Sequence, residues 1–275
     1  MANNVFCKTC GDQILDELPG GDPAERKPCS RCGSVVRSFE LQASPGHYTI
    51  MGFETSASVK TNLSGYFASS SALFSRKAHV LEGLDPAGVS EMIRMEHRSY
   101  AIGAVIAAAS YLEAAINELY LEAVDRNRNT FPPERLRLAE LMSHVWEDVE
   151  QMTVLAKYQV ALTLAEVQPY PKGENPHQAV DGLLRLRNAL VHYKPEWDTE
   201  LEEHRRLEER LGKRFKQSRL SSPRQAFFPH RCLGHGCAAW ATTTALGFYR
   251  DFMVRLGLNM RSISDPAGLA TEDSA

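Results

Sequence analysis

The chain has 275 residues, 43% hydrophobic and 24% charged, with a formal net charge of −3 at neutral pH. That length suffices for one good-sized core plus a small module, and the composition is that of an ordinary globular protein. The charge balance excludes a global electrostatic pull toward nucleic acid or acidic membranes, so any polyanion contact must come from a local patch. The opening residues, Met-Ala-Asn-Asn-Val-Phe-Cys, lack a basic stretch followed by an apolar run, so no secretory signal is expected. The most apolar run, Ala101 to Ala109, meets Glu113 well short of the roughly 20 residues that span a bilayer, so no membrane partner is expected. A cytoplasmic location follows, and in a reducing compartment paired cysteines point to metal rather than disulfides.

Cys7-Lys-Thr-Cys10-Gly11 and Cys29-Ser-Arg-Cys32-Gly33 are two C-x-x-C-G turns with 18 residues between Cys10 and Cys29. Two thiolates across a tight turn grip one side of a tetrahedral ion at about 2.3 Å, and a second turn closes the other side. Glycine after each second cysteine permits positive φ where the turn rejoins a strand. The pattern resembles the zinc-ribbon family over residues 1 to about 40, with short β strands. A structural Zn2+ on Cys7, Cys10, Cys29 and Cys32 is expected, since four thiolates leave no open position for catalysis. Lys8, Arg26, Lys27, Arg31 and Arg37 are balanced by Asp12, Asp16, Glu17, Asp22 and Glu25, which argues against a DNA-binding ribbon. His230, Cys232, His235 and Cys237 match no zinc spacing, and the two cysteines read as small core residues.

Residues 41–85 are rich in Ser, Gly and Thr and read as a linker, with His47 to Phe53 and Ala57 to Thr61 as candidate short strands. From Pro86 the period turns helical, with Asp85 or Ser90 as cap. The predicted helices run from Val89 to about Asp125, Glu134 to about Val167, about Pro176 to His192 or Tyr193, and Cys237 to Leu256. Residues 197–228 read as charged and partly helical, and the chain after Asp265-Pro266 as a disordered tail. The expected organisation is a ribbon at 1–40, a linker at 41–85, an all-α four-helix domain at 86–260 and a tail at 261–275.

The third helix carries an anomaly. On a wheel, Val180, Leu183, Leu184, Leu190 and Val191 form an apolar stripe with Arg187 at its centre. Asn188 and His192 share an adjoining polar edge with Asp181 and Arg185. A guanidinium facing a core is costly unless partnered. It either snorkels to solvent, pairs with a carboxylate in the bundle, or faces a pocket or subunit interface.

Arg187-Asn188-Ala-Leu-Val-His192, late in the third of four helices, resembles the R-x4-6-H signature of the HEPN superfamily. Leu112-Glu113-Ala-Ala-Ile-Asn117-Glu-Leu on a long first helix fits the same resemblance, which covers about residues 88–260. It implies a homodimer whose two motifs meet in one cleft, and a metal-independent endoribonuclease of toxin or defence type. Arg187, Asn188 and His192 would be its catalytic residues, and an antitoxin or other protein a further partner. His192 would move protons, Arg187 would hold the scissile phosphate, and Asn188 would orient the histidine. Products would carry 2′,3′-cyclic phosphate ends. Non-catalytic HEPN-like domains that bind RNA or protein, or only dimerise, are the alternative implied. Glu113 and Asn117 either face the site or form a solvated edge. Lys194, Arg206, Lys213 and Arg214 are candidate RNA contacts within a basic run that includes Arg210, Lys216 and Arg219. Glu202, Glu203, Glu208 and Glu209 interleave with that run, as on a salt-bridged surface helix.

Overall fold

The computed structural model describes residues 4–14, 26–40, 60–195, 202–259 and 267–272. The chain divides into two compact units, residues 1–61 and 62–275. In the first, β1 (Asn4–Cys7) lies between β2 (Gln13–Ile14) and β3 (Arg37–Glu40), antiparallel to both, with Val5 opposite Ile14 and Phe39. Val5, Cys7 and Cys29 are its buried apolar residues among those described. So small a core does not hold a fold without a staple.

The second unit is helical and is built around α2 (Glu91–Val124), whose Ser90 cap accepts the Ile93 N–H at 3.3 Å. Against α2 pack α1 (Ser64–Glu82), α3 (Leu136–Val149), α4 (Val154–Leu164), α5 (His177–Val191) and α7 (His235–Leu256). A short α6 (Glu202–Leu211) packs on α5. Tyr158, Leu112, Ile116, Leu162, Leu183, Phe248 and Phe252 are fully buried in the shared core. By length and composition α2 is the one described helix able to cross a bilayer, but 56% of its apolar window is buried inside the protein, as in a core helix.

The helix α1 stands where the sequence predicts a linker. Its buried face is Ala68, Ser71, Ala72, Ser75 and Ala78, a helical period written in small residues that a hydrophobicity pattern does not register. Small side chains let α1 approach α2 closely. A Cβ on Gly103 of α2 would come within 2.9 Å of the Phe74 ring. Ser71 Oγ donates to the Ala104 carbonyl at 3.0 Å and lies 2.7 Å from Thr242 Oγ1, so one buried hydroxyl ties α1, α2 and α7. The α1 N-terminus has no local cap. Instead Glu118 of α2 accepts the Leu63 and Ser64 N–H groups at 2.8 and 2.9 Å, and the Ser64 hydroxyl at 2.6 Å. Most of the two candidate strands of the linker lies outside the described residues.

The predicted second helix is two helices. The chain turns at residues 150–153, and Thr153 takes extended ψ as the N-cap position of α4. The turn brings α4 back over α2, where Tyr158 OH donates to the Leu112 carbonyl at 2.8 Å and Tyr120 OH to the Lys157 carbonyl at 3.2 Å. Part of the expected disordered tail is also ordered. Residues 267–272 lie along α1, with Arg76 Nη1 donating to the Gly268 and Ala270 carbonyls and Ser75 Oγ to that of Thr271. Cys232 and Cys237 are fully buried, and burial pushes both thiols up, as inert core cysteines require.

Glu82 closes α1 in a buried polar layer. His97 Nε2 lies 3.1 Å from Glu82 Oε1, and the His235 N–H donates to the same oxygen at 3.1 Å. Burial raises the Glu82 carboxyl, but His97 and the His235 N–H outweigh it and hold the group below 4.5. A depressed carboxyl stabilises the fold above its unfolded value and loses that contribution as pH falls through the folded one. Glu82→Gln should therefore cost about 1–3 kcal/mol at neutral pH. Its deficit in melting temperature should shrink between about pH 5 and pH 3. Parallel melting curves at all pH values would contradict this role.

Candidate functional site

The four N-terminal cysteines converge. Their sulfur atoms all lie within 4.8 Å of one another, with Cys7 Sγ 3.4 Å from Cys32 Sγ and Cys10 Sγ 3.7 Å from Cys29 Sγ. A tetrahedron of 2.3 Å metal–sulfur bonds has edges of about 3.8 Å, so the donor set fits such an ion. The two knuckles are built alike. Gly11 N–H donates to the Cys7 carbonyl and Gly33 N–H to that of Cys29, each at 2.8 Å, with φ of 73° and 72° at the two glycines. Burial pushes the Cys7 thiol up, but the Cys10 and Thr9 N–H groups and the neighbouring thiols bring it down to about 6. At Cys10 the Asp12 N–H works downward, yet burial and the thiols of Cys32, Cys7 and Cys29 raise it to about 12. Four thiols this close oppose one another's ionisation, a repulsion that a bound cation would relieve.

In the helical unit Arg187 takes the second of the three expected arrangements. Its Nη2 lies 3.2 Å from Glu113 Oε2 of α2, with the arginine side chain 26% exposed and the glutamate 48%. One turn along α2, Asn117 Oδ1 accepts from Lys157 Nζ of α4 at 2.7 Å. Lys157 is buried, which lowers its pKa, while Glu113 and Glu150 pull the other way. Its Nζ sits 5.7 Å from the Trp146 ring centroid. Three helices therefore contribute to one polar cluster in an otherwise apolar seam. Glu113 and Asn117 both belong to it, with Glu113 48% exposed at its rim. Lys157 is the member that the sequence reading misses. Its only signal is a lysine inside Val154-Leu-Ala-Lys-Tyr-Gln-Val-Ala-Leu.

The stripe on α5 needs correction. Its buried line is Val180, Leu183 and Leu186, whereas Leu184 and Leu190 are half-buried and Val191 is exposed. By angle Arg187 still falls between the buried Val180 and Leu183, but near the helix end its side chain is 26% exposed. Asn188 and His192 are exposed, and His192 N–H donates to the Asn188 carbonyl at 2.9 Å, keeping it on the helical track. They share a face with Asp181 and Arg185. Lys194 is exposed just beyond the helix.

That face of α5 meets α6 in a groove of about 630 Å³ lined by Gln178, Arg206, Glu209, Arg210, Lys213 and Arg214. A second depression, of about 260 Å³, continues it past His177, Asp181, Arg185 and Lys172. Asp181 takes both Arg185 Nε at 2.9 Å and Arg210 Nη1 at 2.8 Å, and Glu208 takes Arg231 Nη2 at 2.8 Å. Arg210 and Glu208 of α6 are thus paired with Asp181 and Arg231 outside the helix rather than along it. Three of the four candidate RNA contacts, Arg206, Lys213 and Arg214, line the groove, and Lys194 does not.

Comparison of the chain with protein-family models, curated proteins and solved structures finds no match. The functional reading therefore rests on the chemistry of these sites. For the cysteine cluster the expectation is direct. Cys7→Ser with Cys29→Ser in the full chain should remove one tightly held metal ion and collapse the amide dispersion of residues 4–40 in NMR spectra. Helical circular dichroism should persist, because the helical unit has its own core. An undisturbed spectrum for residues 4–40 in the double variant would show that no metal shapes this unit.

Proposed function

We propose that the helical unit is a HEPN-type endoribonuclease, cytoplasmic and dimeric, and that the cysteine cluster holds a structural Zn2+. The carrying observation is Arg187, held by Glu113 at 3.2 Å, in a motif whose Asn188 and His192 are exposed at the end of the same helix. The borderline soft character of four thiolates and their tetrahedral spacing favour zinc over hard cations.

In this reading His192 takes the proton of a ribose 2′-hydroxyl as its oxygen attacks the phosphorus. The 5′-oxygen leaves with a proton, giving a 2′,3′-cyclic phosphate and a 5′-hydroxyl. The Arg187 guanidinium exchanges Glu113 for phosphate oxygens and stabilises the charge that builds on them. Asn188 is one turn before His192 and orients it. Lys157 adds positive potential behind Arg187 through Asn117. The basic groove along α5 and α6 guides the strand toward His192.

His192 lies five positions after Arg187, about 140° around the helix axis. One chain's arginine and its own histidine thus point apart, which supports a site completed by the second copy, as a two-fold dimer allows. The exposed Val191 and Tyr193 flanking His192 supply apolar surface for that contact. The pairing of Arg187 with Glu113 also favours a second reading, in which the domain is a non-catalytic RNA- or protein-binding module. Toxin function, and an antitoxin partner that covers the site, belong to the first reading.

Labelled RNA incubated in EDTA separates the two. Wild type should cleave, and Arg187→Ala and His192→Ala should each lose about 100-fold or more. Mixing the two inactive variants should restore roughly a quarter of the activity, since half the dimers are mixed and each has one intact site. Absence of cleavage by wild type would select the binding module, and equal cleavage by all three would end the assignment. Lys213→Ala with Arg214→Ala should flatten the salt dependence of RNA binding by about 0.7 per charge.

A further inference from the structure

We infer that His79, His235 and Glu272 form a zinc site, separate from the cysteine cluster, that fastens the C-terminal segment to the helical unit. One ligand atom from each residue lies within 4.8 Å of the others. His79 is in the last turn of α1 and His235 opens α7, and their rings lie 4.5 Å apart at 32°. Both imidazoles are half-buried, and Glu272 is exposed at the rim.

Two imidazole nitrogens and a carboxylate oxygen are a zinc donor set that leaves one position for water. The surroundings hold each donor in place. Ser75 lies one turn before His79 and donates to the Thr271 carbonyl at 3.1 Å, placing the residue beside Glu272. Arg76 grips the Gly268 and Ala270 carbonyls at 2.8 and 2.6 Å. His235 Nε2 lies 3.3 Å from the Thr271 carbonyl oxygen, which orients the ring. The buried Glu82 carboxylate accepts the His235 N–H at 3.1 Å and adds negative potential behind the site. Such outer contacts are what turn a chance cluster of side chains into a preorganised metal site.

The Ser75 and Arg76 hydrogen bonds and the packing of Leu269 against the core hold the segment in register, and the two imidazoles, tilted at 32°, place ring nitrogens within 4.8 Å of a Glu272 oxygen. A divalent ion uses both lone pairs and neutralises Glu272.

The test is a Zn2+ titration of the full chain carrying Cys7→Ser, Cys10→Ser, Cys29→Ser and Cys32→Ser, which removes all four ribbon thiolates. One equivalent should bind, and Co2+ in its place should give weak d–d absorption without a thiolate charge-transfer band. Glu272→Gln, at an exposed position that does not threaten folding, should weaken binding at least 10-fold. His79→Ala should abolish it while helical circular dichroism persists. No binding by the chain lacking the ribbon thiolates, a thiolate band in its Co2+ spectrum, or full affinity in Glu272→Gln would each overturn the site.

Discussion

The helical unit depends on the burial of α2. Its 34 residues present Ala, Leu, Ile and Tyr around most of the axis, and such a helix is stable in water only when surrounded. Polar side chains in its second half are therefore committed, each to a different neighbour. Glu113 meets Arg187 of α5, Asn117 meets Lys157 of α4, Glu118 caps α1, and Glu122 accepts the Thr130 hydroxyl at 2.7 Å. Four positions within ten residues thus fix three helices and a loop around one axis. The same stretch that anchors the fold also supplies the partner of Arg187, so site and scaffold are one construction.

That geometry bears on why an arginine stands at position 187. Its partner Glu113 is half exposed, and an ion pair so accessible to water contributes at most about 1 kcal/mol. A leucine or methionine at this position would pack with comparable stability and without desolvating a guanidinium, so stability is a weak reason for the residue. Under the proposed nuclease reading its reason is a planar cation able to trade a carboxylate for a phosphate.

The features most legible in the sequence are those written locally. The paired C-x-x-C-G turns foretold the cysteine cluster, and Pro176 and Pro195 bracketed α5. The α1 helix was hidden because its period is carried by Ala and Ser and its cap by a glutamate 54 residues away. The break between α3 and α4 has neither Pro nor Gly to announce it, only Thr153. Wheel arithmetic gave Val191 to the buried stripe although it lies in the exposed last turn. His235 stood out beside two cysteines, yet the cysteines are core and its companions, His79 and Glu272, come from the two ends of the unit. Signals that arise from tertiary contact leave no spacing to read.

The groove on α5 and α6 shows how a chain of net charge −3 can still offer a phosphate track. Acidic residues interleave with the basic ones along α6, and in sequence that alternation looks self-neutralising. In three dimensions it is not. One carboxylate, Asp181, holds two guanidiniums, and Glu208 pairs away from the groove with Arg231. The two depressions are lined by six cations, Lys172, Arg185, Arg206, Arg210, Lys213 and Arg214, against two carboxylates, Asp181 and Glu209. A local excess of that size attracts polyanions over about a Debye length whatever the sign of the whole chain. Asp181 and Arg185 share the α5 face that continues to Asn188 and His192, so the excess charge and the histidine lie on one face of that helix.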